Sequence, residues 1–305
     1  MGYYKKQTGD DNMSEYSNET IKLLNERASL RAFSDRKISD EVMDEILGAA
    51  THSASGGNLQ PFSIIKITDK EIMEKIVSFG NQSFIKTAPV NLLFCIDFYR
   101  IKRMTQIEKA PFTAQKAFPH FWIAFQDTMI AAQTACIAAD SLGLGSVYIG
   151  TIFTIPESLE GSVEVLELPE GVLPVVLVSM GYPKIQPRVA KKYGISTLVH
   201  ENKYRKPSDE EMKKAVEEKY LSRILKVKGD DTRIEKIRSV CEKVENKEFA
   251  DEVVNQIEET GVISTFQYRF GLHYSADFMP SMNETFVEMI KRRGFEIFEN
   301  PDFLK

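Results

Sequence analysis

Apolar residues recur at helical spacing in two early stretches. Ile21, Leu23 and Leu24 follow Ser17 and Asn18, either of which supplies a capping oxygen, so a helix is expected that ends near Arg27. Behind Ser39, Met43, Ile46, Leu47 and Ala50 stand at i, i+3, i+4 and i+7, with Asp40 and Glu41 in the first turn, which predicts a second helix with one buried face. Phe62–Ile67, Val90–Asp97 and Pro174–Met180 are short apolar runs that read as strands, with a helix over Lys70–Val77 between the first two. Pro119–Leu142 is Ala-rich and apolar nearly all round, but Gln126, Asp127 and Gln133 interrupt it. A carboxylate at a bilayer centre costs about 2.5–3.5 kcal/mol, so the stretch is expected to be a buried or subunit-interface helix rather than a membrane span. Gly143 closes it as a C-terminal cap.

After Arg205 the pattern turns polar. Thirteen Lys or Arg and fifteen Asp or Glu fall between Arg205 and Glu259. Ser208 with Glu211 and Thr232 with Glu235 have capping-box spacing, and Ile234, Ile237, Cys241 and Val244 form one narrow apolar stripe. Amphipathic helices with a solvated outer face are the expectation. Thr265–Pro280 is aromatic-rich and irregular, either a loop packed on the core or a flap facing substrate. The first dozen residues are polar and lack the apolar stretch of a signal peptide.

Composition narrows the classes without naming one. A chain of 305 residues suits one large domain or a domain with an elaboration. A net charge of −5 gives no electrostatic case for nucleic acid or an anionic membrane. Cys95, Cys136 and Cys241 are far apart, odd in number and without a CxxC pair, which fits a reducing cytoplasm. The four histidines are too scattered for a metal site.

Four segments carry candidate chemistry. Arg27, Ser29 and Arg31 place two guanidinium forks and a hydroxyl on a short connection, a set that suits a phosphate. The loop Thr51–Pro61 offers Ser53, Ser55, Gly57 and Asn58: small or hydroxyl-bearing residues for close approach, and an amide able to read a heteroaromatic edge. In Gly143–Gly150, a dinucleotide fingerprint would need glycine where Tyr148 stands and a preceding strand rather than a helix, which leaves a Gly-rich turn presenting backbone N–H groups. Arg188, in Gln186-Pro187-Arg188, is a further anion ligand. No GxSxG elbow, HExxH helix or Walker sequence occurs, so no side-chain nucleophile or metal-based scheme is indicated.

In this order and spacing, RASLRAF, ATHSASGGNLQPFSIIKITD, FCIDFYR, SLGLGSVYIG and VSMGYPKIQPRVAKKYGISTLVHENKY resemble the nitroreductase / flavin reductase family, nearest to its oxygen-insensitive, NADPH-dependent branch. The closing MIKRRGF is similar to that branch as well. The resemblance implies an α+β fold with a central, mostly antiparallel sheet wrapped by helices. It implies a homodimer with FMN across the subunit interface, NADPH or NADH as co-substrate, and a small planar electron acceptor such as a nitroaromatic, quinone or flavin. By motif, Arg27, Ser29, Arg31 and Arg188 would hold the phosphate and ribityl chain. Ser53, Ser55, Gly57 and Asn58 would line the cofactor from the partner subunit. Gln82 would meet the flavin ring, and the backbone of Ile149 and Gly150, beside Tyr148, would face its N5. The family pattern has Lys-Pro-Arg where this chain has Gln186-Pro187-Arg188, and about fifty residues (224–275) stand in place of its Arg-rich 2′-phosphate loop, with Arg223 and Arg269 as substitutes. The organisation expected is a polar segment 1–13, an FMN-binding domain 14–222, a helical insertion 223–280 covering the site or extending the dimer interface, and a return segment 281–305. An FMN-binding protein without turnover, or a specialised reductase or dehydrogenase on the same fold, are the alternatives.

Overall fold

The computed structural model describes residues 16–80, 82–220, 225–226 and 231–304. The polar segment 1–13 and Arg223 lie outside the described residues. The chain divides into two compact units: one up to Val189 together with the chain from Glu288 on, the other Ala190–Val287.

In the first unit, helix α1 (Glu19–Glu26) starts where the Asn18 side chain accepts the Ile21 N–H, and α2 (Asp40–Thr51) starts at the Ser39 oxygen in the same way. Met43, Ile46 and Ala50 of α2 are buried. Strands β1 (Phe62–Ile67) and β2 (Val90–Asp97) flank α3 (Lys70–Gly80), and α4 (Phe98–Glu108) leads to the long α5 (Phe118–Ser141). Strand β3 (Gly145–Ile149), α6 (Thr151–Thr154), α7 (Pro156–Val165) and β4 (Val172–Gly181) complete the unit's strand-bearing part. The sheet order is β1-β2-β4-β3, and every neighbouring pair is antiparallel. Every residue of β2 and β4 is buried, because helices cover both faces of the sheet. On one face Leu93, Cys95, Ile149 and Leu177 pack with Met73 and Ile76 of α3 and Ile152 of α6; α5 lies against the other.

Strand β3 corrects the sequence reading of Gly143–Gly150 as a turn. Gly143, with φ of 77°, ends α5 as expected, its N–H donating to Asp140 O and that of Leu144 to Ala139 O. From Gly145 onward, however, the backbone pairs with β4. Two glycines hide the strand, and the alternation that reveals it (Ser146 and Tyr148 one way, Val147 and Ile149 the other) spans only five residues. Among the described residues, no helix is long and apolar enough to cross a membrane.

The second unit holds α8 (Ile195–Leu198), α9 (Asp209–Tyr220), β5 (Leu225–Lys226), α10 (Asp231–Val244), α11 (Lys247–Thr260), β6 (Val262–Ile263), α12 (Thr265–Tyr268) and α13 (Phe278–Ser281). The capping box at Ser208 forms in full: Glu211 N–H donates to Ser208 Oγ at 3.2 Å, and Ser208 N–H to Glu211 Oε2 at 2.8 Å. At Thr232 the expectation is off, since α10 already runs from Asp231 and Thr232 lies in its first turn. Ile237, Ile257 and Ile263 form a small core with Ile234 and Cys241 packed on it. The stretch expected to be irregular is mostly helical turns: Ser264 and Gln267 form a capping box, and a π-turn follows over Arg269–His273. Gly271 permits that turn, since a Cβ there would stand 2.8 Å from Ile237 Cγ1. Helix α14 (Asn283–Arg292) carries the chain from the second unit into the first.

Candidate cofactor site

After α1 the chain runs extended beside the start of β3: Leu30 N–H donates to Ser146 O at 3.0 Å. The approach needs glycine at 145, where a Cβ would stand 2.7 Å from Leu30 Cδ2. Leu30 points into the core, so Ser29 and Arg31 on either side of it are exposed. Arg27 is half-buried, its Nε donating to Asp140 Oδ2 at 3.0 Å and its Nη2 to Ser146 Oγ at 3.2 Å. A guanidinium has five N–H donors, so three remain for a ligand. Burial raises the Asp140 carboxyl above its ordinary range, against the opposing pull of Arg27. On the other side of the segment, Lys184 N–H donates to Ala32 O at 2.9 Å and Ser34 N–H to Tyr182 O at 2.8 Å. The chain leaving β4 toward the exposed Arg188 therefore runs alongside Arg31.

The second group adjoins the first. Arg31 Cζ lies 6.0 Å from the ring centroid of Phe84, two residues beyond Gln82. Gln82 Nε2 donates to Thr151 Oγ1 at 2.9 Å, which holds it beside the end of β3. There Ile149 is buried and Gly150 is exposed, with no atom within 4 Å of where a Cβ would stand. The backbone at Gly150 is thus open. Tyr148 faces the other side of β3, where its hydroxyl donates to Gln133 Oε1 at 3.1 Å, and burial raises its pKa.

The third group is the loop after α2. Ser55 Oγ accepts the Gln60 N–H at 2.8 Å, and the Ser53 hydroxyl is buried without a hydrogen-bond partner. Gly57 and Asn58 are exposed, with φ of 59° and 54°. The loop is tied to α5 through Asp127, whose two oxygens accept the Gly56 N–H at 3.1 and 3.0 Å. Asp127 and Asp140 are thirteen residues apart on α5, about 20 Å at a rise of ~1.5 Å per residue. In one chain, therefore, this loop and the arginine segment hang from opposite ends of the same stretch of helix. Sequence reasoning did not select Asp127, Asp140 or Thr151. The signal available was a carboxylate inside an apolar helix, which by itself tells only against a membrane span.

Comparison with known proteins gives a family for the part of the chain that carries the sheet. The model of the nitroreductase family matches residues 24–182. The chain belongs to the nitroreductase family. Among its relatives in that family, the oxygen-insensitive NADPH nitroreductase of Salmonella typhimurium is 34% identical over 70% of this chain and 85% of that protein. The NADPH-flavin oxidoreductase of Vibrio harveyi is 33% identical, over 61% of this chain and 75% of the relative. Of solved structures, NfrA2 of B. megaterium has a TM-score of 0.64 at 26% identity, covering 92% of this chain and 100% of that one. The V. harveyi NADPH:FMN oxidoreductase in complex with NAD+ has a TM-score of 0.60 at 31% identity, covering 66% and 84%. The α+β nitroreductase fold implied by the sequence motifs is the fold observed.

Proposed function

We propose that this nitroreductase-family chain is an FMN-dependent NAD(P)H oxidoreductase that acts as a homodimer in a reducing cytoplasm. The observation that carries the reading is the Arg27–Arg31 segment bordering β3: Arg27 keeps three guanidinium donors, Arg31 lies 6.0 Å from the Phe84 ring centroid, and Gln82 is held through Thr151 beside the exposed Gly150 backbone. The donor set fits FMN. A phosphate brings about −1.5 to −2 charge at pH 7, and Arg27, Ser29, Arg31 and Arg188 supply cations and a hydroxyl for it. Gln82 and the N–H at Gly150 suit the edge of a planar ring. The orphaned Ser53 hydroxyl, with Ser55, Gly57 and Asn58, suits the same ligand from the partner's side, since one chain keeps this loop about 20 Å along α5 from Arg27.

Bound FMN supplies hydride exchange between a nicotinamide and an acceptor. The residues named above would bind and orient it, with Gln82 and the Gly150 backbone meeting its ring. No residue acts as nucleophile or dedicated base, in keeping with the sequence. Donor and acceptor would use the same slot in turn, a ping-pong order, and the acceptor would be a small planar oxidant: nitroaromatic, quinone or flavin. NfrA2 and the V. harveyi enzyme support the reading as relatives of one fold, the latter named for NADPH and FMN. The test is the visible spectrum of the purified protein without oxygen, before and after NADPH or NADH. A yellow protein bleached by either is expected, and the two rates give the nicotinamide preference. A yellow protein that stays oxidised with both would make it a flavin-binding module without turnover. A colourless one that takes up no added FMN would overturn the reading altogether.

A further inference from the structure

The loop after α2 is held in a shape its residues do not favour. Gly57, Asn58 and Gln60 have φ of 59°, 54° and 49°, the left-handed region, and two of the three carry side chains. Such backbone persists only where its surroundings over-determine it. Three ties do so within or beside the loop: Gln60 N–H to Ser55 Oγ, Gln60 Nε2 to Thr51 O at 2.6 Å, and Arg100 to Gln60 O. The fourth comes from α5. Asp127, 4% exposed, receives the Gly56 N–H on both oxygens, and Gly56 sits so close to the helix that a Cβ would stand 2.6 Å from Ile123 Cγ2. Asp127 has no salt-bridge partner among the described residues. A hydroxyl or an amide oxygen would accept one N–H with far less desolvation than a carboxylate buried in an apolar helix. A charge-assisted bond is the stiffer tie, and stiffness is what a strained binding loop requires.

We propose that Asp127 is a positioning residue for the cofactor: through the Gly56 amide it sets the Gly56–Gln60 backbone in the shape that receives FMN, without touching FMN itself. This rests on the assignment of the loop to the cofactor made above. The test uses the full-length protein, stripped of flavin and titrated with FMN, in three forms: wild type, Asp127→Ala and Asp127→Asn. FMN affinity is read by flavin fluorescence, and hydrogen exchange of the flavin-free protein is followed at residues 56–60 and in β2 and β4. Asp127→Ala is expected to weaken FMN by about tenfold, the worth of one hydrogen bond to a charged group. It should speed exchange in the loop but not in the central strands. Asp127→Asn, which keeps one acceptor oxygen but not the charge, should recover only part of the affinity. FMN affinity within about twofold of wild type in Asp127→Ala would overturn the proposal. So would exchange that accelerates in β2 and β4 as much as in the loop, since that is loss of fold rather than of position. If Asp127→Ala does not fold, Gly56→Ala pushes the same amide off Asp127 from the loop side, and unchanged FMN affinity there also overturns it. A double Ser53→Ala, Asn58→Ala variant separates the two readings. Weakened FMN in this double variant with normal FMN in Asp127→Ala sinks the role of Asp127 alone, whereas normal FMN in both sinks the loop assignment.

Discussion

Arg27 can serve the fold and a ligand together because its donors point along more than one edge. Two of them tie α5 to β3 through Asp140 and Ser146, and three remain. Arg31, four residues further on and exposed, is free of that structural duty. Replacing both by Ala is therefore expected to strip FMN from the protein, with Arg27→Ala also lowering the melting temperature and Arg31→Ala leaving it nearly unchanged; full flavin retention in the double variant would refute the phosphate assignment. Asp140 gives a pH dependence whose sign follows from its raised pKa. A carboxyl held above its unfolded value contributes stability that is complete below the unfolded pKa and is lost as pH rises through the folded one. Urea midpoints of wild type and Asp140→Asn, measured from acid to neutral pH, should thus show the wild type losing ground to the variant across that interval. The arginine pair could be picked out in the sequence as a candidate phosphate set, and its phosphate role is part of the proposal. That Arg27 is anchored by Asp140 was not, because the two residues are 113 positions apart in the chain.

Local rules placed the capped helices and the apolar strands, though α4, α7 and α14 were not among the expectations. Asn18, Ser39 and Ser208 each cap the helix expected of them, because a cap is a contact between residues three apart and needs no tertiary context. Ser39→Ala is expected to cost about 1 kcal/mol of stability by thermal or urea unfolding, with the FMN affinity unaltered. Strand β3 was missed because its strand character comes from pairing with β4, and its glycine from contact with Leu30. Neither is written in five residues. Tyr148 shows the same limit. Its place beside the open Gly150 backbone follows from the motif, but which face its side chain takes is set by the pleat of β3, and that turns it toward Gln133.

For the whole molecule, α5 is the element that would carry the proposed dimer contact. It is apolar nearly all round, yet Trp122, Ile123 and Ile130 are 51%, 40% and 42% exposed in the single chain. Contiguous exposed apolar surface of this kind marks an interface, and the separation of the serine loop from the arginine segment along the same helix makes a composite site the economical arrangement. Ile130→Lys is expected to shift the protein toward monomer in sedimentation and to release FMN in the same concentration range; a monomer that keeps FMN at full affinity would contradict the shared site. The expectation that residues 224–275 set acceptor range or dimer stability is checked by deleting them and measuring both. A deletion that alters neither removes that role.

The sequence alone determined what depends on near neighbours and on residue chemistry. Helix starts follow from caps, the buried central strands from their apolar runs, and the cationic character of the Arg27–Arg31 segment from arginine itself. Its motifs, in order, also determined the nitroreductase family. Tertiary structure decided which polar groups are spent and which are spare. It spent two donors of Arg27 on Asp140 and Ser146, turned Tyr148 inward, opened the backbone at Gly150, and clamped Gly56 to a buried Asp127. Each of these is a contact between residues distant in the chain. Pairings of that kind depend on how α5 packs across the sheet, which no window of local sequence contains.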